Sequence, residues 1–314
     1  MLRYLVRRLL FSLLVVAGVV TLVFSLIHLI PGDPTAAILG TEATPEARAA
    51  LRKELGLDQP LLTQYGRWWS NLLHGDLGRS ILVKQPVSEL ILQRLPTTVP
   101  LALLTITIAI AIAIPAGIIS AIRRNTWVDA AVSLAAFSGM SIPDFWLGVL
   151  LILGFALYIP IFPPGDYVSI VSNPLEGLRH LLLPAIALGA TFSAALTRMI
   201  RSSLLEVLSR DYVRTARAKG QRESRVLLRH ALRNALIPAV TIMGVQFGTL
   251  LGGTLIIEQV FALPGLGRLT VQAVLDRDFP LVQGCVIVIA TIFVFVNLLT
   301  DLLYVYLDPR IKYT

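Results

Sequence analysis

Asp211-Tyr-Val-Arg-Thr-Ala-Arg-Ala-Lys-Gly220, then Gln221 to Arg229, then His230-Ala-Leu-Arg-Asn234, forms a basic stretch between two apolar runs. Residues 198–233 hold ten Lys/Arg against three acids. The remainder is greasy: 55% of residues are hydrophobic, 15% are charged, and mean hydropathy is +0.76. Such a balance argues against a soluble globular chain. A membrane protein that gathers its charge and a helix stop into one inner loop has either a protein-docking surface there or a contact with anionic headgroups.

Working outward from that loop, six apolar runs match the roughly 20 residues needed to cross a bilayer core: residues 9–30, 99–122, 130–161, 181–200, 235–257 and 282–307. Each is expected to be helical, because lipid offers no partner for open backbone groups. The fold class read from this is an all-α membrane protein with six transmembrane helices. The third run is long and interrupted at Ser141-Ile-Pro143-Asp144, which predicts a broken helix and makes this run the test of the count. The first run follows basic residues, as a secretory leader would, but it is too long for a leader core and is read as a retained span. Placing the N-terminus inside puts 17 of the 27 basic residues on the inner side. These are Arg3, Arg7, Arg8, Arg123, Arg124, the ten of the fourth-to-fifth loop, Arg310 and Lys312. Both termini are therefore expected in the cytoplasm.

The chain divides into residues 1–96, a first span with an external helical insert, and residues 97–314, a five-span core whose cytoplasmic loop covers about 201–234. In the insert, Thr44-Pro45-Glu46 is a helix start and Gly56 a stop. A second amphipathic stretch carries Trp68 and Trp69, which suit either the bilayer surface or contact with an outside partner. In the loop, residues 211–219 form a short helix with Asp211 in its first turn, and Gly220 fits the left-handed stop. A second helix over about 222–235 aligns Arg222, Arg225, Arg229 and Arg233 as one stripe. Together these make a projecting knob, suited to a groove on another protein. Ala216, Ala218 and Gly220 keep one side of the first helix small, as close contact with a partner requires.

Polar groups at membrane depth each carry two readings. Asn297, Thr300 and Asp301 cluster in the sixth run, where Asp301 either pairs with a loop arginine at the inner end or meets substrate. Asp144 either caps the restarting third helix or faces a pathway. Glu258, Phe261, Pro264, Gly265 and Gly267 follow the fifth run, as an outer gate or binding-protein contact or as a tight turn. Gly244, Gly248, Gly252 and Gly253 are small-residue steps for close helix packing, between subunits or within one. His28 and His180 are isolated, and the single Cys285 leaves no disulfide or thiolate cluster, so no metal site is expected. The sequence has no Gly-x-x-x-x-Gly-Lys-Ser/Thr phosphate loop, no His-Glu-x-x-His and no Cys-x-x-Cys. A catalytic role is therefore not expected.

These residues resemble the binding-protein-dependent permeases of ABC importers, specifically the dipeptide/oligopeptide/nickel group. Gly220 and Ala216 match the glycine and one alanine of that superfamily's loop, while Arg214, Thr215 and Arg233 depart from its general pattern. Those departures resemble one branch, the first permease subunit of peptide importers, in which Asp-Tyr-x-Arg-Thr-Ala-Arg-Ala-Lys-Gly and His-Ala-Leu-Arg-Asn-Ala are characteristic. Pro31-Gly-Asp-Pro34, Glu258-Gln-Val-Phe-Ala-Leu-Pro-Gly-Leu-Gly267 and Leu307-Asp-Pro-Arg310 agree, as does the basic N-terminus. The resemblance implies a type I importer permease that binds no cofactor itself. It implies a second permease subunit as heterodimer partner, two cytoplasmic ATPases carrying ATP and Mg, an external substrate-binding protein and surrounding lipid, with no nucleic acid. Asp211, Tyr212, Arg214, Thr215, Ala216, Arg217, Ala218, Lys219, Gly220, His230, Arg233 and Asn234 would then be the coupling loop that grips the ATPase. Asp144, Gly248, Gly252, Asn297 and Asp301 would line the pathway or pack it.

Two readings from other classes compete. A self-sufficient secondary transporter or channel predicts a charged relay deep in several spans, or a repeat between halves; the chain has one deep acid and no repeat. An intramembrane enzyme predicts a nucleophile and base at helical spacing, and none is found.

Overall fold

The computed structural model describes residues 2–29, 35, 44–54, 56–163, 165 and 167–307. Pro31-Gly-Asp-Pro34, Asp308-Pro-Arg310, Lys312 and the side chains of Arg3 and His28 lie outside the described set. In chain order the helices are α1 (Leu2–Leu29), α2 (Pro45–Glu54), α3 (Leu61–Leu73), α4 (Val87–Leu92), α5 (Leu95–Ile122), α6 (Trp127–Ser141) and α7 (Asp144–Ile152). They continue with α8 (Pro174–Leu208), α9 (Asp211–Ala218), α10 (Glu223–Arg225), α11 (Leu232–Val260), α12 (Leu266–Leu275) and α13 (Phe279–Leu307). Two π-helical turns, Leu153–Tyr158 and Val226–Ala231, extend α7 and join α10 to α11.

Among the described residues, five stretches are long and apolar enough to cross a bilayer: Val6–Ser25, Val87–Ile122, Pro174–Leu208, Glu223–Gly248 and Phe279–Leu303. The third apolar run of the sequence is broken, as the sequence predicts. Trp127–Ser141 and Asp144–Tyr158 pass the same test together but are bent by 99°. Pro143 explains the break, since it offers no N–H to the helix and forces the preceding Ile142 into extended backbone (φ −85, ψ 121).

The chain separates into two compact units, Met1–Leu95 with Gly265–Val294, and Pro96–Pro264 with Phe295–Thr314. Gly265–Val294 thus groups with the N-terminal residues.

In the first unit, Thr44 Oγ1 accepts the amide of Ala47, and Gly56 closes α2 at φ 66. α3 does not leave its tryptophans at a free surface. Trp68, Trp69 and Leu72 pack on Val16, Val19, Val20 and Val23 of α1 and on Ile287 of α13. Tyr65 fixes this arrangement by a 2.8 Å hydrogen bond with Thr21 and an edge contact with Phe24 at 5.2 Å. Nearer its N-terminus, α1 exposes Leu9, Leu10, Leu13 and Leu14, as a lipid-facing segment would. A second cluster joins Val87, Leu90 and Ile91 of α4 to Leu266 and Ala273 of α12 and Leu281 and Cys285 of α13. Buried Asp278 holds this end together by accepting from Ser80 Oγ and from the amide of Leu281 (3.3 Å), which caps α13.

In the second unit α8 is the central helix: 61% of its most apolar stretch is buried, against 28% for those of Val87–Ile122 and Glu223–Gly248. Its core partners are small, Ala113 of α5 and Ala239 of α11 against Leu196 and Ile200. Small side chains let helices approach closely where apolar burial against lipid gives no driving force. Towards the C-terminal end of α8, Ala121, Leu204, Ala231 and Ala235 form the next layer. That layer is the base on which the basic loop stands.

Candidate functional site

The basic loop is a built object. α9 turns Val213 and Ala216 inward, where they pack with Val226, Val207 and Leu208. Gly220 then reverses the chain at φ 71, with its amide bonded to Arg217 O at 2.9 Å and Lys219 N to Thr215 O at 3.0 Å. These bonds satisfy the last carbonyls of α9, as a left-handed helix stop should. Three side-chain ties fasten the return. Arg217 donates to both oxygens of Glu223 (3.1 and 2.6 Å), and that pairing raises the arginine's already high pKa. His230 Nε2 and Gln221 Oε1 are 2.9 Å apart. Asn234 Nδ2 donates to Tyr212 OH and to His230 O, each at 3.0 Å.

The rest of the knob faces outward. Asp211, Tyr212, Arg214, Thr215, Ala218 and Lys219 are exposed, as are Arg222, Arg225, Arg229 and Arg233 of the predicted stripe. Asp211 and Arg214 are 3.7 Å apart with side chains almost fully in solvent, so their pairing contributes little. Two details differ from the sequence reading. Ala216 is buried in the knob's own core, which leaves Ala218 and Gly220 as the small residues exposed on the outer side. The second helix is interrupted by the π turn Val226–Ala231, and Leu228 within it is 59% exposed.

The segment after α11 is arranged the opposite way. Glu258 is fully buried and accepts from Thr98 Oγ1 at 2.7 Å. Phe261 and Leu263 are buried, Leu263 N bonds Glu258 O at 2.8 Å, and Ala262 takes φ 53. Gly265 and Gly267 are buried and Pro264 is half-buried. The segment is a tight turn in which Glu258 and Phe261 are buried within this chain.

Asp144, in the first turn of α7, accepts from the amide of Phe145 at 2.8 Å, and its other oxygen lies against α11. A methyl group on Gly253 would come within 3.0 Å of Asp144 Oδ2 and 3.2 Å of Leu188, so glycine is needed there for the approach. Gly244 meets Thr300 of α13 in the same way, at 2.7 Å, whereas nothing approaches Gly252 within 4 Å. Gly248, Asn297 and Asp301 are half-buried. Among the described residues no group of His, Cys, Asp and Glu could hold a metal ion.

One constellation has no counterpart in the sequence reading. Arg201 of α8 donates from Nε and Nη2 to the two oxygens of buried Asp129 in α6, at 2.7 and 2.8 Å. Ser120 of α5 and the amide of Asn125 complete the carboxylate's shell at 2.5 and 3.0 Å. The partners stand 72 positions apart, and the available signal was an acid and a base each near a span end, which is too common to pair them.

Against known proteins, residues 113–313 match the family described as binding-protein-dependent transport system inner membrane component, and residues 1–102 match its N-terminal companion. The dipeptide transport system permease protein DppB of Alkalihalophilus pseudofirmus is 44% identical, with all of both chains covered. The glutathione transport system permease protein GsiC of Escherichia coli O6:H1 is 42% identical, again over the full length of both. Among solved structures, the inward-facing MetNI methionine ABC transporter superposes with a TM-score of 0.56 at 17% identity. That match covers 70% of this chain and 96% of the other, and it shows a shared fold.

Proposed function

The chain belongs to the binding-protein-dependent transport system inner membrane component family, and from that premise we propose that it forms half of a peptide-importing pore. A second, homologous permease subunit supplies the other half. Two cytoplasmic ATPases hydrolyse ATP with Mg, and an external binding protein delivers the peptide. This chain carries no nucleotide and no metal. Both termini and the knob at 211–234 lie on the cytoplasmic side, consistent with the count of basic residues. Peptides are the substrate class supported by the dipeptide and glutathione relatives.

The observation that carries the coupling role is the division of labour within the knob. A small core and three side-chain ties hold it rigid, while an exposed alanine and a basic stripe are left for a partner. A rigid knob transmits a push. When ATP closes the ATPase pair, two such knobs move together and the spans switch between discrete arrangements. By linkage, a loaded binding protein outside then favours ATPase closure inside.

The test is co-purification with the subunits encoded by neighbouring genes. Ala218→Trp adds bulk on the outer side without touching the knob's core, so it should abolish ATPase capture while the permease pair still forms. If the tryptophan variant retains its ATPases, the knob is not the docking surface. A chain that transports alone would instead point to a secondary transporter.

A further inference from the structure

Two arginines one turn apart on α8 are treated differently. Arg201 is neutralised by Asp129. Arg198 is exposed and, among the described residues, has no carboxylate at ion-pair distance. Its guanidinium lies over the ring of Phe137 at 4.7 Å and donates from Nη1 to the sulfur of Met140 at 3.4 Å. Both α6 residues are themselves exposed, at 53% and 46%.

The direction of the side chain is informative. Arg201 meets Asp129 in the first turn of α6, just after Arg123-Arg124, where that helix leaves the interface. Arg198 reaches instead to Phe137 and Met140, 8 and 11 positions beyond Asp129, roughly 12 and 16 Å further along the helix. With the interface at Arg123-Arg124, where the positive-inside count places it, its charge is carried toward the apolar stretch of the span. A lipid-facing arginine does the reverse and snorkels to the near surface. An ionic group held at such depth faces a wet cavity or meets an anion brought to it. The aromatic face steadies the guanidinium plane and leaves N–H groups on its edge for a bidentate acceptor.

We propose that Arg198, seated on Phe137 and Met140, is an anion subsite of the translocation pathway that takes a carboxylate of the passing peptide. This rests on the peptide-import reading above. An unblocked peptide has a C-terminal carboxylate whatever its side chains, so one fixed guanidinium can serve many sequences. Thioether and phenyl groups around it tolerate varied neighbours. The interaction is made in transit, so it governs rate more than capture by the external protein.

The test uses the complete complex in proteoliposomes, as wild type, Arg198→Gln and Arg198→Lys. The probes are a tripeptide with uncharged side chains and its C-terminal amide, each supplied on the binding protein. Arg198→Gln should slow uptake of the free acid about tenfold or more, the loss expected for one charge-assisted hydrogen bond. It should leave amide uptake and basal ATPase activity unchanged, and Arg198→Lys should recover part of the loss. Equal slowing of acid and amide would overturn the proposal. So would a defect that tracks the anionic lipid content of the vesicles, since a headgroup would then be the anion. Release of the second permease subunit from the Arg198→Gln complex would overturn it too, by assigning the anion to that subunit. If wild type imports neither probe, the peptide-import reading itself fails, and the substrate named here goes with it.

Discussion

The knob at residues 211–234 and the turn at residues 258–264 both lie beside span ends, and each is closed by a residue at positive φ, yet they use their side chains in opposite ways. The knob buries three small apolar residues and leaves its charge in solvent. The turn buries an acid and an aromatic ring and exposes little beyond Ala262 and Gln259. Both segments carry motif-like residues, so composition alone ranks them equally as contact surfaces. Exposure separates them: the first leaves its charged side chains open, and the second holds the end of α11 against α5 through Glu258 and Thr98.

The largest effect expected from this contrast comes from filling the knob's core. Ala216→Trp forces a bulky ring between Val213 and Val226, and overpacking typically costs about 1–3 kcal/mol. A core of three buried residues cannot absorb that, so the knob should lose its shape while the spans stay folded. Binding-protein-stimulated ATPase activity of the assembled complex should fall below a tenth of wild type. Melting of the detergent-solubilised permease pair should move little. If stimulation survives Ala216→Trp, the knob's rigidity is not what couples, and the contrast with the turn loses its meaning.

The difference between these regions was only half legible in the sequence. Gly220 could be read as a helix stop because its reason is local: a carbonyl-rich helix end followed by the one residue without a Cβ. The break at Pro143 was equally local, although the 99° bend was not. Which side of α9 faces its own core depends on Val226 and Leu208, packed against it by tertiary contact, so the burial of Ala216 is not legible from the helix alone. The packing of half-buried Trp68 and Trp69 against α1 is non-local in the same way. The Asp129–Arg201 clamp could not be paired from spacing across 72 positions. Periodicity and turn chemistry act over a few residues, and helix pairing in a bundle does not.

A smaller effect is expected at the turn. Thr98→Val keeps the shape of the side chain and removes the hydroxyl that donates to buried Glu258. Taking a donor from a buried acceptor costs about 1–3 kcal/mol. Here the loss should appear as a lower melting temperature of the whole complex, with the ratio of stimulated to basal ATPase activity unchanged. A Thr98→Val variant that melts normally but uncouples would reverse the assignment and make the turn a moving part.

The smallest and sharpest test sets the two positive-φ residues against each other. Gly220 has no atom within 4 Å of the place a Cβ would occupy, so Gly220→Ala meets no clash and pays only for its backbone at φ 71. That conformation costs an L-residue about 1–2 kcal/mol. Ala262 already bears such a cost at φ 53, offset by the burial of Phe261 and Leu263 on either side. Ala262→Gly relieves the strain but adds freedom to the unfolded chain, and the two nearly cancel at under about 1 kcal/mol. Gly220→Ala should therefore weaken ATPase capture severalfold at low protein concentration, and Gly220→Asn should weaken it less, because asparagine tolerates the left-handed region. Ala262→Gly should change neither capture nor melting. Were Ala262→Gly the more damaging of the two, the strained turn would be storing energy for motion, and the knob would be the passive element.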